Sequence, residues 1–427
     1  MRFDRSLEIF EEARKLIPGG SQTNSKRPKQ FAYGAYPIYA RRAEGCRIED
    51  VDGNRFIDLV MAFGPIVLGH AYPRVQEAVR AQLERGTLAG LMFEAEVEAA
   101  RLVVETVPCA EMVRFLKGGG EATAAAARIV RAHSGKELIL NCGYRGWPDV
   151  WGINHPLSRG VPGALKGTLL NFPFNDAPAL ERLMDEHKGQ VAAVFLEVPA
   201  IDPHDGYLQA VRDLTRKHGT LMVMDEVVTG FRLAPGGAQE YYGVTPDLAC
   251  FAKAMANGMP VSAVAGRADV MRVAEELLIT VTYGGEALSL AATVATIREL
   301  REKRVCEQLW KLGAELKDGL NAAARRAGIP FLSSGPAPLA LMRFDVGEKD
   351  AEADTWTFFL QEMAARGVLM RRGGWNLVTF SHTREDIQTV VRAAGEVFGE
   401  LKGLLGTPEL KARLRTHDAE RAAAAVR

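Results

Sequence analysis

Residues 221–267 read LMVMDEVVTGFRLAPGGAQEYYGVTPDLACFAKAMANGMPVSAVAGR, and three short apolar runs inside this stretch decide the fold. LMVMDEV (221–227) ends in two adjacent carboxylates, Asp225 and Glu226; DLACFA (247–252) stops at Lys253; VSAVAG (261–266) follows. Runs of this length, apolar nearly throughout and bounded by Gly, Pro and polar turns, are the signature of strands buried on both faces. Outward from here, ELILNC (137–142) and VAAVFLEV (191–198) repeat the pattern, and helical segments are read at Pro73–Gly86 and Glu121–Ser134, ahead of the first of these runs, and at Pro178–Lys188, between the two. Strands alternating with helices predict an α/β fold with a mainly parallel sheet covered on both sides.

Ligands of open parallel sheets bind beyond the carboxyl ends of the strands. Three unusual spots are predicted there: the glycines after strand-like VRFL, Asp225 after LMVM, and Lys253 after LACFA. In KGGGEAT (117–123), glycines enter a helix whose first N–H groups lack partners and carry partial positive charge, an anion cradle suited to phosphate. The same stretch reads equally well as a tight turn with no ligand. It fits neither GxxxxGK[ST] nor GxGxxG, since position 123 is Thr, which disfavours nucleotide binding through those motifs.

A carboxylate such as Asp225 at the end of an apolar strand needs a partner. An arginine such as Arg232 would serve, and so would a protonated heterocyclic nitrogen, since a charge pair at about 4 Å is worth on the order of 4 kcal/mol at an effective dielectric of 20. Lys253 sits among Phe251, Ala252, Ala254 and Met255. Apolar surroundings favour a neutral amine that attacks aldehydes, although most lysines reach water instead. Neither residue alone is decisive. Taken together, a phosphate cradle, a carboxylate for a ring nitrogen and an amine for an aldehyde are the handles of pyridoxal 5′-phosphate (PLP).

The rest of the chain sets limits. Its 427 residues carry 53 basic and 53 acidic side chains, so no net field attracts nucleic acid or an anionic membrane. No apolar run reaches the roughly 18 residues that span a bilayer, and MRFDRSLEIFEEARKLIPGG lacks a signal peptide's apolar core, so a cytoplasmic location is expected. The five cysteines are scattered without a CxxC pair and read as buried small hydrophobes, with no metal site. An N-terminal segment (1–55) has one amphipathic helix, a polar loop and a hairpin-like stretch ending at EDVDGN. The alternating region (56–310) reads as the large domain. Residues 311–427 read as a C-terminal small domain: a βαβ-like section of LALMRF (339–344), helix 354–366 and NLVTFS (376–381), then a helix at about 384–404 and a helical tail.

DEVVTGFR and DLACFAKAMANGMPVSAVAGR resemble the class III aminotransferases, most of all their glutamate-1-semialdehyde aminomutase-like branch. The resemblance extends over PGGSQTNS, GCRIEDVDGNRFIDLV, GPIVLGHAYP, GYRGWPD, TYGGEALSLAA and FSHTREDI. It implies a fold-type I PLP enzyme with a large and a small domain, the N-terminal segment belonging to the small one, and a homodimer with shared active sites. By the same resemblance Lys253 holds PLP as a Schiff base and moves the substrate's Cα proton, and Asp225 pairs with the pyridine nitrogen. Val227 and Tyr144 cover the two ring faces, Gly119 and Gly120 bind phosphate, Thr282 reaches the phosphate of a second copy, and Glu197 lies near the cofactor oxygen.

Three departures bear on the reaction. The phosphate turn is Gly118-Gly119-Gly120 where the family carries Ser-Gly-Thr or a close variant, and Glu197 is followed by Val198 rather than Pro. Aminomutases have a glutamate in a stretch that here reads MRRGGWNLVTFSHT (370–383), with glycine at the expected position, and an arginine earlier in the loop that here reads TNSKRP. Arg371 and Arg372 are candidates for a substrate carboxylate and Trp375 for a pocket wall, though two solvated arginines and a core tryptophan fit equally. The expectation is a ping-pong aminotransferase acting on a small-molecule amino donor (an ω-amine, a β-amino acid or a related compound) and an oxo acceptor. The alternative is glutamate-1-semialdehyde 2,1-aminomutase.

Overall fold

A computed structural model describes residues 1–198 and 201–415. The chain divides into two compact units, one formed by residues 64–67 and 73–307 and the other by residues 1–63, 68–72 and 308–427. In chain order the strands are β1 (Ala40–Glu44), β2 (Arg47–Asp50), β3 (Arg55–Asp58), β4 (Met112–Leu116), β5 (Leu138–Cys142), β6 (Leu169–Asn171), β7 (Val191–Glu197), β8 (Leu221–Asp225), β9 (Leu248–Phe251), β10 (Ser262–Gly266), β11 (Phe331–Ser334), β12 (Leu341–Phe344), β13 (Val368–Leu369) and β14 (Gly374–Trp375).

The first unit is built on a seven-stranded sheet of order β4-β10-β9-β8-β7-β5-β6. Successive side chains of a strand point to opposite faces, yet Met222, Val223 and Met224 are all buried, as are Val194, Phe195 and Leu196. The sheet is therefore covered on both sides, which is why its strands read as unbroken apolar runs. The helix Gly119–Ser134 packs on β7, β8, β9 and β10, with Ala122, Ala125, Ala126, Ile129 and Val130 buried beneath it. Alanine on that side lets helix and sheet approach closely, and Gly135, at φ 67°, ends the helix in the left-handed conformation.

One predicted strand has an unexpected direction. VSAVAG forms β10, which is antiparallel to both β4 and β9, so the sheet is mixed. Since β10 reverses twice, β4 again runs with β9, β8, β7 and β5. Their carboxyl ends share one edge, which carries the three spots singled out in the sequence.

The second unit holds a four-stranded sheet, β1-β2-β3-β13, and a three-stranded one, β11-β12-β14. Helices Lys349–Ala365 and Arg384–Leu401 pack against each other, and Phe331, Phe344, Trp356, Phe359 and Phe398 form an aromatic core. The βαβ-like expectation fails here. Asn376, Leu377, Val378 and Thr379 of NLVTFS are buried but none of the stretch is a strand, and the segment before it supplies only the two-residue β14, antiparallel to β12. Leu377 instead donates its N–H to Leu59 O, and Thr379 donates its own to Nδ1 of His382. Of the expected helical tail, Pro408–Ala412 is a short helix; residues beyond 415 lie outside the described ones.

Candidate active site

Glu197 and Asp225 end β7 and β8 as register partners, and Asp225 is opposite Cys250 of β9. Asp225 is 5 % exposed. Its Oδ1 accepts the N–H of Val227 at 3.0 Å, which turns the chain out of the strand. Its Oδ2 is 3.2 Å from Nη1 of Arg145. Arg145 comes from the loop after β5, its side chain fully buried, and Nη1 also lies 3.5 Å from Oε2 of Glu197. The same guanidinium donates to the carbonyls of Tyr144 at 2.9 Å and Cys142 at 2.5 Å. Burial raises the Asp225 carboxyl above its ordinary value while Arg145 pulls it down. Burial and then the Asp225 charge raise Glu197, again against Arg145.

The sequence singled out Arg232 as an example of a partner for Asp225. Arg232 is fully buried, but its guanidinium donates to the carbonyls of Gly64 and Ile66. Arg145, the residue in that role, was missed. In GYRGWPD it reads as one more polar loop side chain, and only the strand register brings it to the sheet edge.

The adjacent carboxylates divide their work. Glu226 turns away from Asp225 and accepts the N–H groups of Ala238 at 2.8 Å and Gln239 at 2.9 Å, with a short bond from the Thr229 hydroxyl. It anchors the short helix Ala238–Tyr242 and has no part in the edge site.

Lys253 opens a 3-10 turn, Lys253–Ala256, directly after β9, with φ 39°. A side chain in the left-handed region stores about 1–3 kcal/mol of strain and needs surrounding structure to hold it. Here the helix Ala287–Glu302, buried over most of its surface, packs against the turn. The lysine charge acts favourably on both Asp225 and Glu197.

At the glycine turn, the Glu121 carboxylate accepts the N–H groups of Lys117 and Gly118, each at 2.9 Å. The helix starts at Gly119, so the N–H groups of Gly119 and Gly120 have no intrahelical acceptor. A Cβ on Gly119 would lie 2.9 Å from Cγ1 of Val227, and one on Gly120 would lie 3.2 Å from Cδ of Pro148. The turn thus lies against Val227, two residues from Asp225, and is open only because it lacks side chains. Tyr144 is 65 % exposed and donates its N–H to Oε2 of Glu197 at 3.0 Å. Thr282 is exposed in the loop that precedes the helix Ala287–Glu302.

In the other unit, the Arg371 guanidinium stands 5.2 Å from the centroid of the Phe63 ring, and burial lowers its proton affinity. Arg372 donates to the carbonyls of Ala353 and Phe31 and to the Thr357 hydroxyl, which tie it into the fold. Trp375 is half-buried in β14.

Among the described residues no cluster of His, Cys, Asp and Glu is arranged to hold a metal, and all five cysteines are buried. No described helix is long and apolar enough to cross a membrane. The residues present do fit PLP, as the Gly119 cradle that a single Cβ would fill shows, together with a buried carboxylate and a turn-borne amine on the same edge.

This fold and edge site define a fold-type I PLP-dependent enzyme. The chain belongs to the class-III aminotransferase family, whose sequence model matches residues 30–145 and 165–389. It is 38% identical to a glutamate-1-semialdehyde 2,1-aminomutase of Syntrophobacter fumaroxidans, over 95% of this chain and 99% of that one. It is 35% identical to the protein of the same name from Methanothermobacter thermautotrophicus, over 93% and 100%. Among solved structures, the PLP internal aldimine form of the FumI protein of Sphingopyxis sp. MTA144 superposes with a TM-score of 0.87 at 28% identity, covering 95% of this chain and all (100%) of that one. An omega-transaminase from Sphaerobacter thermophilus gives a TM-score of 0.83 at 27% identity over 92% and 97%.

Proposed function

We propose that the chain uses PLP to relocate an amino group on a small amino-carbonyl substrate, and that isomerisation of glutamate 1-semialdehyde is the leading reading. The names of its curated relatives put this ahead of the intermolecular transfer expected from the sequence. The observation that carries the chemistry is a buried Asp225 on the same sheet edge as the Lys253 turn.

When bound, PLP supplies an aldehyde that condenses with amines and a ring that accepts the electron pair released at a substrate's Cα. Lys253 Nζ would be the amine that holds that aldehyde, and as the free amine it would act as the general base that carries a proton between the substrate's Cα and the former aldehyde carbon. Asp225 Oδ2 keeps a ring nitrogen protonated by charge pairing. The N–H groups of Gly119 and Gly120 take the phosphate without help from a hydroxyl. Val227 would pack on one ring face, Tyr144 would stack on the other, and Glu197 would lie near the ring oxygen. Thr282 serves the phosphate of a second copy in a homodimer. Of the two arginines, Arg371 is the candidate for a substrate carboxylate, because Arg372 is bound to the carbonyls of Ala353 and Phe31. Trp375 is the candidate pocket wall.

A second reading, transfer from an amino donor to a separate oxo acceptor, is favoured by one specific feature. Gly373 and Gly374 have φ of 54° and 64°, and a Cβ on Gly374 would lie 3.2 Å from the Arg371 guanidinium. Glycine, and no acidic side chain, stands where an aminomutase has its glutamate. The solved omega-transaminase and a solved beta-phenylalanine aminotransferase, at 27% and 26% identity to this chain, agree with it.

Glutamate 1-semialdehyde supplied alone separates the two. Conversion to the isomer aminated at C1, with no keto acid present, supports the leading reading. Turnover only when a donor is paired with pyruvate or 2-oxoglutarate supports the second. Borohydride reduction followed by peptide mass analysis must place the cofactor on Lys253, and an adduct elsewhere or none refutes both.

A further inference from the structure

Arg145 is a fixed cation in a position where the cofactor reading needs only an anion. Its guanidinium is fully buried between two carboxylates, 3.2 Å from Asp225 and 3.5 Å from Glu197, and is clamped by the carbonyls of Tyr144 and Cys142. Gly143, at φ 110°, makes this approach possible, since a Cβ there would lie 2.6 Å from Oε2 of Glu197 and 3.0 Å from Nη1 of Arg145. The Thr123 hydroxyl donates to Arg145 O at 2.8 Å and so ties the arginine's loop to the helix that begins with the glycine turn. Nε of Arg145 is buried with no hydrogen-bond acceptor, a cost the fold accepts to keep the charge there.

Four groups face Asp225: Arg145 from the loop after β5, Glu197 from β7, Cys250 from β9 and Lys253 from the turn after β9. Glu197 and the buried Cys250 thiol offer no positive charge, and Lys253 must give up its own to react with an aldehyde. Burial pushes the Asp225 carboxyl towards its neutral form. Were it neutral, it would offer an already protonated ring nitrogen no opposite charge.

We propose that Arg145 is a positioning residue that keeps Asp225 anionic, with Oδ2 oriented, before the cofactor arrives and after Lys253 has lost its charge. This rests on the PLP reading of the site. Asp225 therefore stays ready at a pH where a buried carboxylate without a cation would take up a proton.

Pyridoxamine 5′-phosphate is a suitable probe, because it binds without forming a bond to Lys253. Its dissociation constant is to be measured by equilibrium dialysis at pH 6 to pH 9 for the wild type, Arg145→Gln and Arg145→Lys. The ratio of the Arg145→Gln dissociation constant to the wild-type one is expected to widen as pH falls from 9 to 6, by a factor of at most about ten for each unit by which loss of the guanidinium raises the aspartate's pKa. The Arg145→Lys ratio should stay within about threefold and show little pH trend. A pH-independent ratio for Arg145→Gln, whatever its size, overturns the proposal, because a purely structural role weakens binding without reference to a proton. If Arg145→Gln does not fold, the infrared difference between cofactor-free wild type and Asp225→Asn at pH 6 decides. A carboxylate stretch supports the proposal and a protonated carboxyl stretch refutes it. If the wild type itself fails to bind the probe, the cofactor reading falls, and that result differs from each of these.

Discussion

Glu197 and Asp225 are opposed at the ends of adjacent parallel strands, a partly buried and a buried carboxylate held by one guanidinium. Such a trio has an anionic excess, and Glu197, the more distant partner, bears the penalty: burial and the Asp225 charge raise its pKa. A carboxylate whose folded pKa is raised is no burden below its unfolded value, and its penalty grows as pH rises through the folded value. Glu197→Gln keeps an oxygen for the Tyr144 N–H and removes that penalty. The cofactor-free variant should be more stable than wild type by about 1 kcal/mol at pH 8, with the gain vanishing towards pH 4.5. Urea denaturation at several pH values checks this, and a variant less stable at pH 8 than at pH 5, relative to wild type, would contradict it.

Gly119 is required for space rather than for backbone conformation, because its φ is ordinary and its Cβ position is filled by Val227 at 2.9 Å. Gly119→Ala gains helix propensity but collides with Val227, and the net loss should be about 1–2 kcal/mol with weaker PLP retention on dialysis. Val227→Ala clears the space. The double variant Gly119→Ala with Val227→Ala should therefore recover most of the stability lost by Gly119→Ala alone, a coupling that a double-mutant cycle measures directly. Additive losses would mean that the contact is not what excludes a side chain at position 119.

The apolar runs 137–142, 191–198, 221–227 and 247–252 show in the sequence because a strand buried on both faces has no room for polar alternation. Lys253 and Asp225 show because charges are rare in such runs. What stays hidden follows from the same physics. Period and composition carry no direction, so the antiparallel β10 reads like its parallel neighbours. NLVTFS is apolar because it is buried, not because it pairs; its backbone bonds reach Leu59 and the His382 ring. Arg145 occupies a loop, where arginine is ordinary, and becomes unusual only when β5 and β7 bring Cys142 beside Leu196 and the loop folds over the strand ends.

Glu226 adjoins Asp225 in sequence, and the structure gives the two separate tasks. Glu226→Gln replaces one acceptor oxygen by an NH₂ that faces the N–H donors of Ala238 and Gln239 or the hydroxyl donor of Thr229. An unsatisfied buried donor pair costs about 1–3 kcal/mol, and this destabilisation should appear in urea unfolding. Burial raises the Glu226 pKa, so relief of its ionisation offsets part of the loss at high pH. The variant should consequently be most destabilised, relative to wild type, near pH 5. Its PLP should remain bound with an unshifted visible spectrum; a spectral shift would place Glu226 inside the site after all.

Asp225→Asn leaves Arg145 buried beside Glu197 alone, at 3.5 Å and without a close anionic partner. Removing one member of a buried ion pair typically costs about 3–5 kcal/mol, because the remaining charge is poorly compensated. Arg145→Met combined with Asp225→Asn removes that charge and puts an apolar chain of similar length in its place. The cofactor-free double variant should then be more stable than Asp225→Asn, although the Tyr144 and Cys142 carbonyls lose their donor and recovery is incomplete. Amino-group transfer should stay abolished in both, since neither retains an anion for the ring nitrogen. Stability measured by urea denaturation therefore separates from activity, which a purely structural pair would not allow. A double variant weaker than the single one by the full cost of Arg145→Met would show that the guanidinium serves its carbonyls and not Asp225.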